Sequence, residues 1–195
     1  MNTRLTPVLL NHAERVLDDA LHSSFAADSV VSHYFRENRQ LGHRERGFIA
    51  ETVYAILRRR RSLEARCLDD ITPRRLLLAQ LACAQGMNRR ELEPVLGSGE
   101  GEWLARAKAV RLDDLPPAVR LELPDWLYQA LSGRIAPDEL ETLAQSLNQP
   151  APLDLRVNTL KAEREAVLTV LRNDGIAADA CALADPLLPP ARVLQ

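Results

Sequence analysis

Four consecutive arginines, Arg58-Arg59-Arg60-Arg61, form the densest group in this sequence with an obvious chemistry. A guanidinium offers paired N–H donors in a fixed fork that matches phosphate oxygens. The segment from Arg36 to Arg61 holds eight Arg against three Glu, while the whole chain carries a net charge of −2. Any phosphate binding is therefore local and should weaken with salt. The run cannot be a single patch on one helix, because each residue turns by about 100°. With Ile49, Val53, Ile56 and Leu57 as the buried stripe, Arg60 falls near its centre. Arg60 is then expected to pair with a carboxylate or to mark a helix end. Arg58 falls on the opposite side, close to Arg44 in azimuth. Arg44 and Arg58, joined by Arg36 and Arg39 from the preceding helix, make up the candidate phosphate-binding surface. The alternative is a solvated face laced with Glu45 and Glu51.

Other residue types suggest no reaction. His12, His22, His33 and His43 show no paired ligand spacing, so no metal site is expected. Cys67, Cys83 and Cys181 are isolated and form neither a metal framework nor a set of paired disulfides. They read as structural thiols of a reducing, cytoplasmic compartment. The sequence has no dinucleotide fingerprint, no P-loop and no nucleophile elbow. Gly97-Ser98-Gly99-Glu100-Gly101 lies between helical stretches and reads as a flexible loop. Asp113-Asp114 and Glu139 to Glu141 read as helix-start and solvated charges. No catalytic, cofactor-binding or metal-binding residues are expected on this chain.

The elements that position the arginines are mainly helical. Apolar residues make up 46% of the 195 and aromatics only 4%, a balance that suits packed helices. Thr6-Pro7 caps a first helix with Leu9, Ala13, Val16, Leu17, Ala20 and Leu21 on one face. A second helix is expected from Ala26 to Asn38, and a long third from Gly42 to about Cys67. Thr72-Pro73 caps a fourth that Gly86 ends. Asn88-Arg89-Arg90-Glu91 fits a capping box for a short fifth. Trp103 to Val110, Asp125 to Leu131 and Pro137 to Leu147 follow. Prolines in Asn148-Gln149-Pro150-Ala151-Pro152 break the pattern. Leu153 to Val157 then alternates as a strand does, Ala162 to Leu171 is an amphipathic helix, and Ile176 to Leu183 suits a second strand. Arg192 to Gln195 reads as the start of another. The fold class is thus a helical bundle followed by a small, incomplete α/β element. No apolar run approaches the ~20 residues that span a bilayer, and the N-terminus lacks a signal-peptide core.

Three segments, in order, resemble the RsmB/Fmu-type ribosomal RNA cytosine-5 methyltransferases. Arg44 to Arg58 contains Arg-Glu-Arg-Gly-Phe-Ile-Ala-Glu-Thr-Val-Tyr-Ala-Ile-Leu-Arg, similar to a helix of the NusB-like N-terminal domain. Leu123-Pro124-Asp125-Trp126-Leu127 is similar to that family's P-x-W-L helix. Ser146 to Lys161 closely resembles its N-x-P-A-P-x-x-L-R-V-N-x-L-K segment. The resemblance implies a NusB-like RNA-binding domain over 1–122, connecting helices over 123–149 and the start of a small α/β domain over 150–195. It also implies that a Rossmann-like domain follows, carrying the S-adenosylmethionine site and both catalytic cysteines. None of Cys67, Cys83 and Cys181 matches those catalytic motifs, so S-adenosylmethionine is expected for the full-length family and not on this chain. Ribosomal RNA and that C-terminal domain are the implied partners, with no membrane and no metal. Arg156, Asn158 and Lys161 join Arg36, Arg39, Arg44 and Arg58 as RNA-binding candidates. Arg156 and Asn158 have a structural alternative, bracing the junction and stabilising a turn. A free-standing NusB-like RNA-binding regulator and a helical protein-interaction module are the competing readings.

Overall fold

The computed structural model describes residues 5–68, 70–149 and 153–181. The chain divides into two compact units, Met1–Gln149 and Pro150–Gln195. In the first unit, α1 (Pro7–His22) starts where Thr6 Oγ1 accepts the Leu9 N–H at 3.2 Å, with Pro7 at the first helical position. Its Leu9, Leu10, Ala13, Val16 and Leu17 are buried, as the periodicity requires. α2 (Ala27–Glu37) buries Val31 and Tyr34, and α3 (His43–Arg58) buries Ile49, Thr52, Val53 and Ile56. α4 (Arg60–Cys67) and α5 (Pro73–Ala79) follow, the latter capped by Thr72 Oγ1 accepting from Arg75 N at 3.2 Å. α5 widens into one π-helical turn, Gln80–Ala84. The expected capping box starts α6 (Arg89–Leu92): Asn88 Oδ1 accepts from Glu91 N at 3.1 Å, and Asn88 N donates back to Glu91 at 2.7 Å. α7 (Glu100–Ala109) completes the bundle. α1 packs against α2, α3 and α5, and the core lies between them.

Two local expectations change. The long third helix breaks at Arg59, where φ is −117° and ψ is 28°, giving α3 and α4. The glycine segment is not a flexible loop throughout, because α7 begins at Glu100 and includes Gly101. The Glu100 carboxylate accepts the Gly97 N–H at 2.6 Å and ties the turn to the helix start. Gly99 occupies the left-handed region at φ 77°, where a side chain would be strained.

A second, smaller core follows in the same unit. α8 (Pro117–Arg120), α9 (Asp125–Ser132) and α10 (Pro137–Leu147) surround Leu121, Leu123, Leu140 and Ala144. Leu127, Tyr128, Leu131 and Ile135 pack on them and stay half-buried. This core is separate from the bundle core.

In the second unit, α11 (Arg164–Asn173) buries Leu168, with Val167 and Leu171 half-buried, and ends at Gly175 with φ 77°. Among the described residues of this unit no strand forms. Residues 153–157 form no regular element, and Leu153 and Leu155 are 85% and 67% exposed. Alternation specifies which way side chains point, whereas a strand also needs a neighbour to exchange backbone hydrogen bonds. Residues 176–181 form no strand either. Ala182 and Leu183, and the third expected strand from Arg192 to Gln195, lie outside the described residues.

Candidate nucleic-acid interface

Arg36, Arg39 and Arg44 gather around the turn between α2 and α3. Arg36 lies in the last turn of α2, Arg39 in the connection and Arg44 in the first turn of α3; all three are exposed. Arg46 makes that turn rigid. Its Nε donates to Leu41 O at 2.9 Å, its Nη2 reaches the carbonyls of Asn38 and Arg39 at 3.5 Å, and its guanidinium lies 5.6 Å from the Phe35 ring centroid. Asn38 Nδ2 adds a bond to Tyr34 O at 2.9 Å.

The neighbouring carboxylates are occupied elsewhere. Glu45 accepts the Gly42 N–H at 2.8 Å, and Glu37 faces His33 at 3.3 Å. Among the described residues Arg36, Arg39 and Arg44 form no ion pair. Arg39 Nε makes one long bond to Arg36 O at 3.4 Å. Three guanidinium groups on a braced turn, with the N-terminus of α3 beside them, can hold successive phosphates of a nucleic-acid backbone.

Arg58 is not part of this group. It stands fourteen residues beyond Arg44 on the same helix, about 21 Å along the axis at 1.5 Å per residue. Similar azimuth placed both on one side, but the rise separates them. The rest of the arginine run turns to other partners. Arg60 Nε donates to Glu64 at 2.5 Å, the expected carboxylate pairing, but Arg60 begins α4 and is exposed instead of lying at the centre of a buried stripe. Arg61 reaches back to residues 122–125.

In the second unit Arg156, Asn158 and Lys161 are exposed. Asn158 Oδ1 accepts the Leu160 N–H at 3.0 Å, and its carbonyl accepts from Lys161 N at 2.9 Å, so this residue builds the turn that follows residues 153–157. Arg156 forms no ion pair among the described residues.

The thiols of the first unit are unsuited to nucleophilic chemistry. Cys67 is buried, and burial pushes its thiol up to about 11. Burial also raises Cys83, against the lowering effect of Arg66 and Lys108. Both stay protonated near neutral pH.

Residues 123–188 match the model of the RsmF/B-like methyltransferase ferredoxin-like domain. This segment is thus similar to the ferredoxin-like domain of the RsmF/B-like methyltransferases. The ribosomal RNA small subunit methyltransferase B of Pseudomonas putida is 38% identical over 65 residues, 33% of this chain and 15% of that protein. The chain therefore spans a small part of that relative. No solved structure matches it. The RsmF/B-like segment contains α9, α10, α11 and the residues Arg156, Asn158 and Lys161. Arg36, Arg39, Arg44 and Arg58 lie N-terminal to it.

Proposed function

We propose that this chain is the RNA-recognition region of an S-adenosylmethionine-dependent ribosomal RNA cytosine-C5 methyltransferase. The helical bundle over 1–122 would be a NusB-like RNA-binding domain, 123–149 the connecting helices, and 150–195 the start of a small α/β domain. The methyl donor would be held by a C-terminal methyltransferase domain, and the full-length enzyme would act in the cytoplasm. The observation that carries the reading is the cluster of Arg36, Arg39 and Arg44, unpaired on a braced turn of a chain that also contains an RsmF/B-like segment. Base chemistry needs an unstacked cytosine and a cofactor cradle. A phosphate-binding turn supplies the complementary part, fixing register and orientation on folded RNA. Arg156, Asn158 and Lys161 would add contacts from the RsmF/B-like segment.

The salt dependence of binding to a structured ribosomal RNA fragment tests this reading. Each lost phosphate contact removes about 0.7–0.9 from the slope of log K against log salt. Arg36→Ala, Arg39→Ala and Arg44→Ala combined are expected to lower that slope by about 2 and weaken binding at least about tenfold. Arg58→Ala alone should lower it by less than one. Salt-insensitive binding, or a triple variant with the wild-type slope, would rule out the RNA-facing turn.

A further inference from the structure

The helix break at Arg59 exposes the first N–H groups of α4, and these are met by a residue sixty positions away. Glu122 accepts from Arg61 N at 2.9 Å and from Ser62 N at 3.2 and 3.3 Å. Arg61 returns the contact: its guanidinium donates to Leu123 O and to Asp125 Oδ1, the latter at 2.7 Å. Glu122 itself is held at φ 58°, a left-handed backbone that a glutamate seldom adopts. Burial pushes its carboxyl up, while the Ser62 and Arg61 N–H groups and the Arg59 charge pull it down.

Among the described residues, every hydrogen bond between 5–110 and 117–149 passes through Arg61 or Ser62. The two parts also have separate apolar cores. Arg120–Glu141 at 3.3 Å and Asn148 Nδ2 to Leu121 O at 3.3 Å tie α8 to α10 within the smaller part. It is therefore internally connected and, among the described residues, hydrogen-bonded to the bundle at one place. We propose that Arg61 and Glu122 form a latch that fixes the α8–α10 segment on the bundle, and that opening it frees this segment as a unit. Because the RsmF/B-like match begins at Leu123, the latch grips the first residue of that segment. A local opening with an intact bundle is the physical signature of such a device.

Hydrogen exchange on the 195-residue chain, read peptide by peptide, tests it. Arg61→Ala is expected to speed exchange across 119–147 by about tenfold or more, with α1 and α3 unchanged. Asp125→Asn, which removes only the outer ion pair, should give a smaller rise in the same residues. Glu122→Gln keeps the shape and one acceptor and should fall between them. A rise shared equally by α1, α3 and 119–147 would overturn the latch, as would no change in Arg61→Ala. A variant that loses its helical circular dichroism altogether is the shared outcome and also counts against it.

Discussion

Leu77→Ala is expected to cost the bundle about 3–4 kcal/mol of unfolding free energy, the largest loss from any single truncation proposed for this chain. Leu77 has no exposed surface and sits on α5, which packs against α1, α3, α4 and α7. The deleted methyl groups lose their transfer energy, and helices held on several sides relax little into the cavity. For a chain of this length the melting temperature should fall by roughly 10 °C. Thermal and urea unfolding followed by circular dichroism measure both. A loss below about 1 kcal/mol would mean that α5 is not the centre of the core. Leu140→Ala provides the contrast. It lies in the small core with Leu121, Leu123 and Ala144, so its loss should appear in 119–147 and spare α1.

Arg74→Ala is the second large effect, about 2–3 kcal/mol. Arg74 is the polar counterpart of Leu77. Its guanidinium grips Glu100 through Nε and through Nη2 at 2.8 Å, donates to Val95 O at 2.8 Å, and lies 3.8 Å from Glu14. One side chain thus joins α5, α7 and α1. Both partners are less than a third exposed, so solvent screens the pair only in part. Removing Arg74 leaves Glu100 with the Gly97 N–H and leaves the Val95 carbonyl without its donor. The bond from Arg74 holds the Glu100 carboxyl below its ordinary value. A depressed carboxylate stabilises the fold above its unfolded value, and that contribution fades as pH falls through the folded one. The gap between wild type and Arg74→Ala should therefore be full at neutral pH and narrow in acid. A gap that widens in acid would contradict the assignment to Glu100.

How much of this was written in the sequence depends on the range of the interactions involved. α1 and α6 were legible because their signals are local: Thr6-Pro7 and Asn88 with Glu91 satisfy the helix ends within three residues. The break between α3 and α4 was not, because no Pro or Gly stands at Arg59. Its stabilising acceptor, Glu122, comes from a part of the chain that no local window includes. No strand forms over Leu153 to Val157 among the described residues, because pairing is a property of two segments and not one. The candidate interface shows the same limit. Charge and azimuth picked out Arg36, Arg39, Arg44 and Arg58, but the axial rise of α3 removed Arg58 from the group. Arg46 was missed because its role lies in carbonyls of the preceding turn, which carry no sequence signal.

The unequal placement of the three thiols has a practical use. Cys67 is buried and pushed up to about 11, and Cys83 is half-buried and raised as well, whereas Cys181 is exposed on the second unit. Because alkylation requires both access and thiolate, a brief maleimide treatment of the native chain should add one label, at Cys181. Peptide mapping would reveal a second label if either of the others were open. Without any engineered residue, a fluorophore can thus be attached within the RsmF/B-like segment and distant in sequence from the arginine turn. Binding of RNA could then be followed by anisotropy on the unaltered protein.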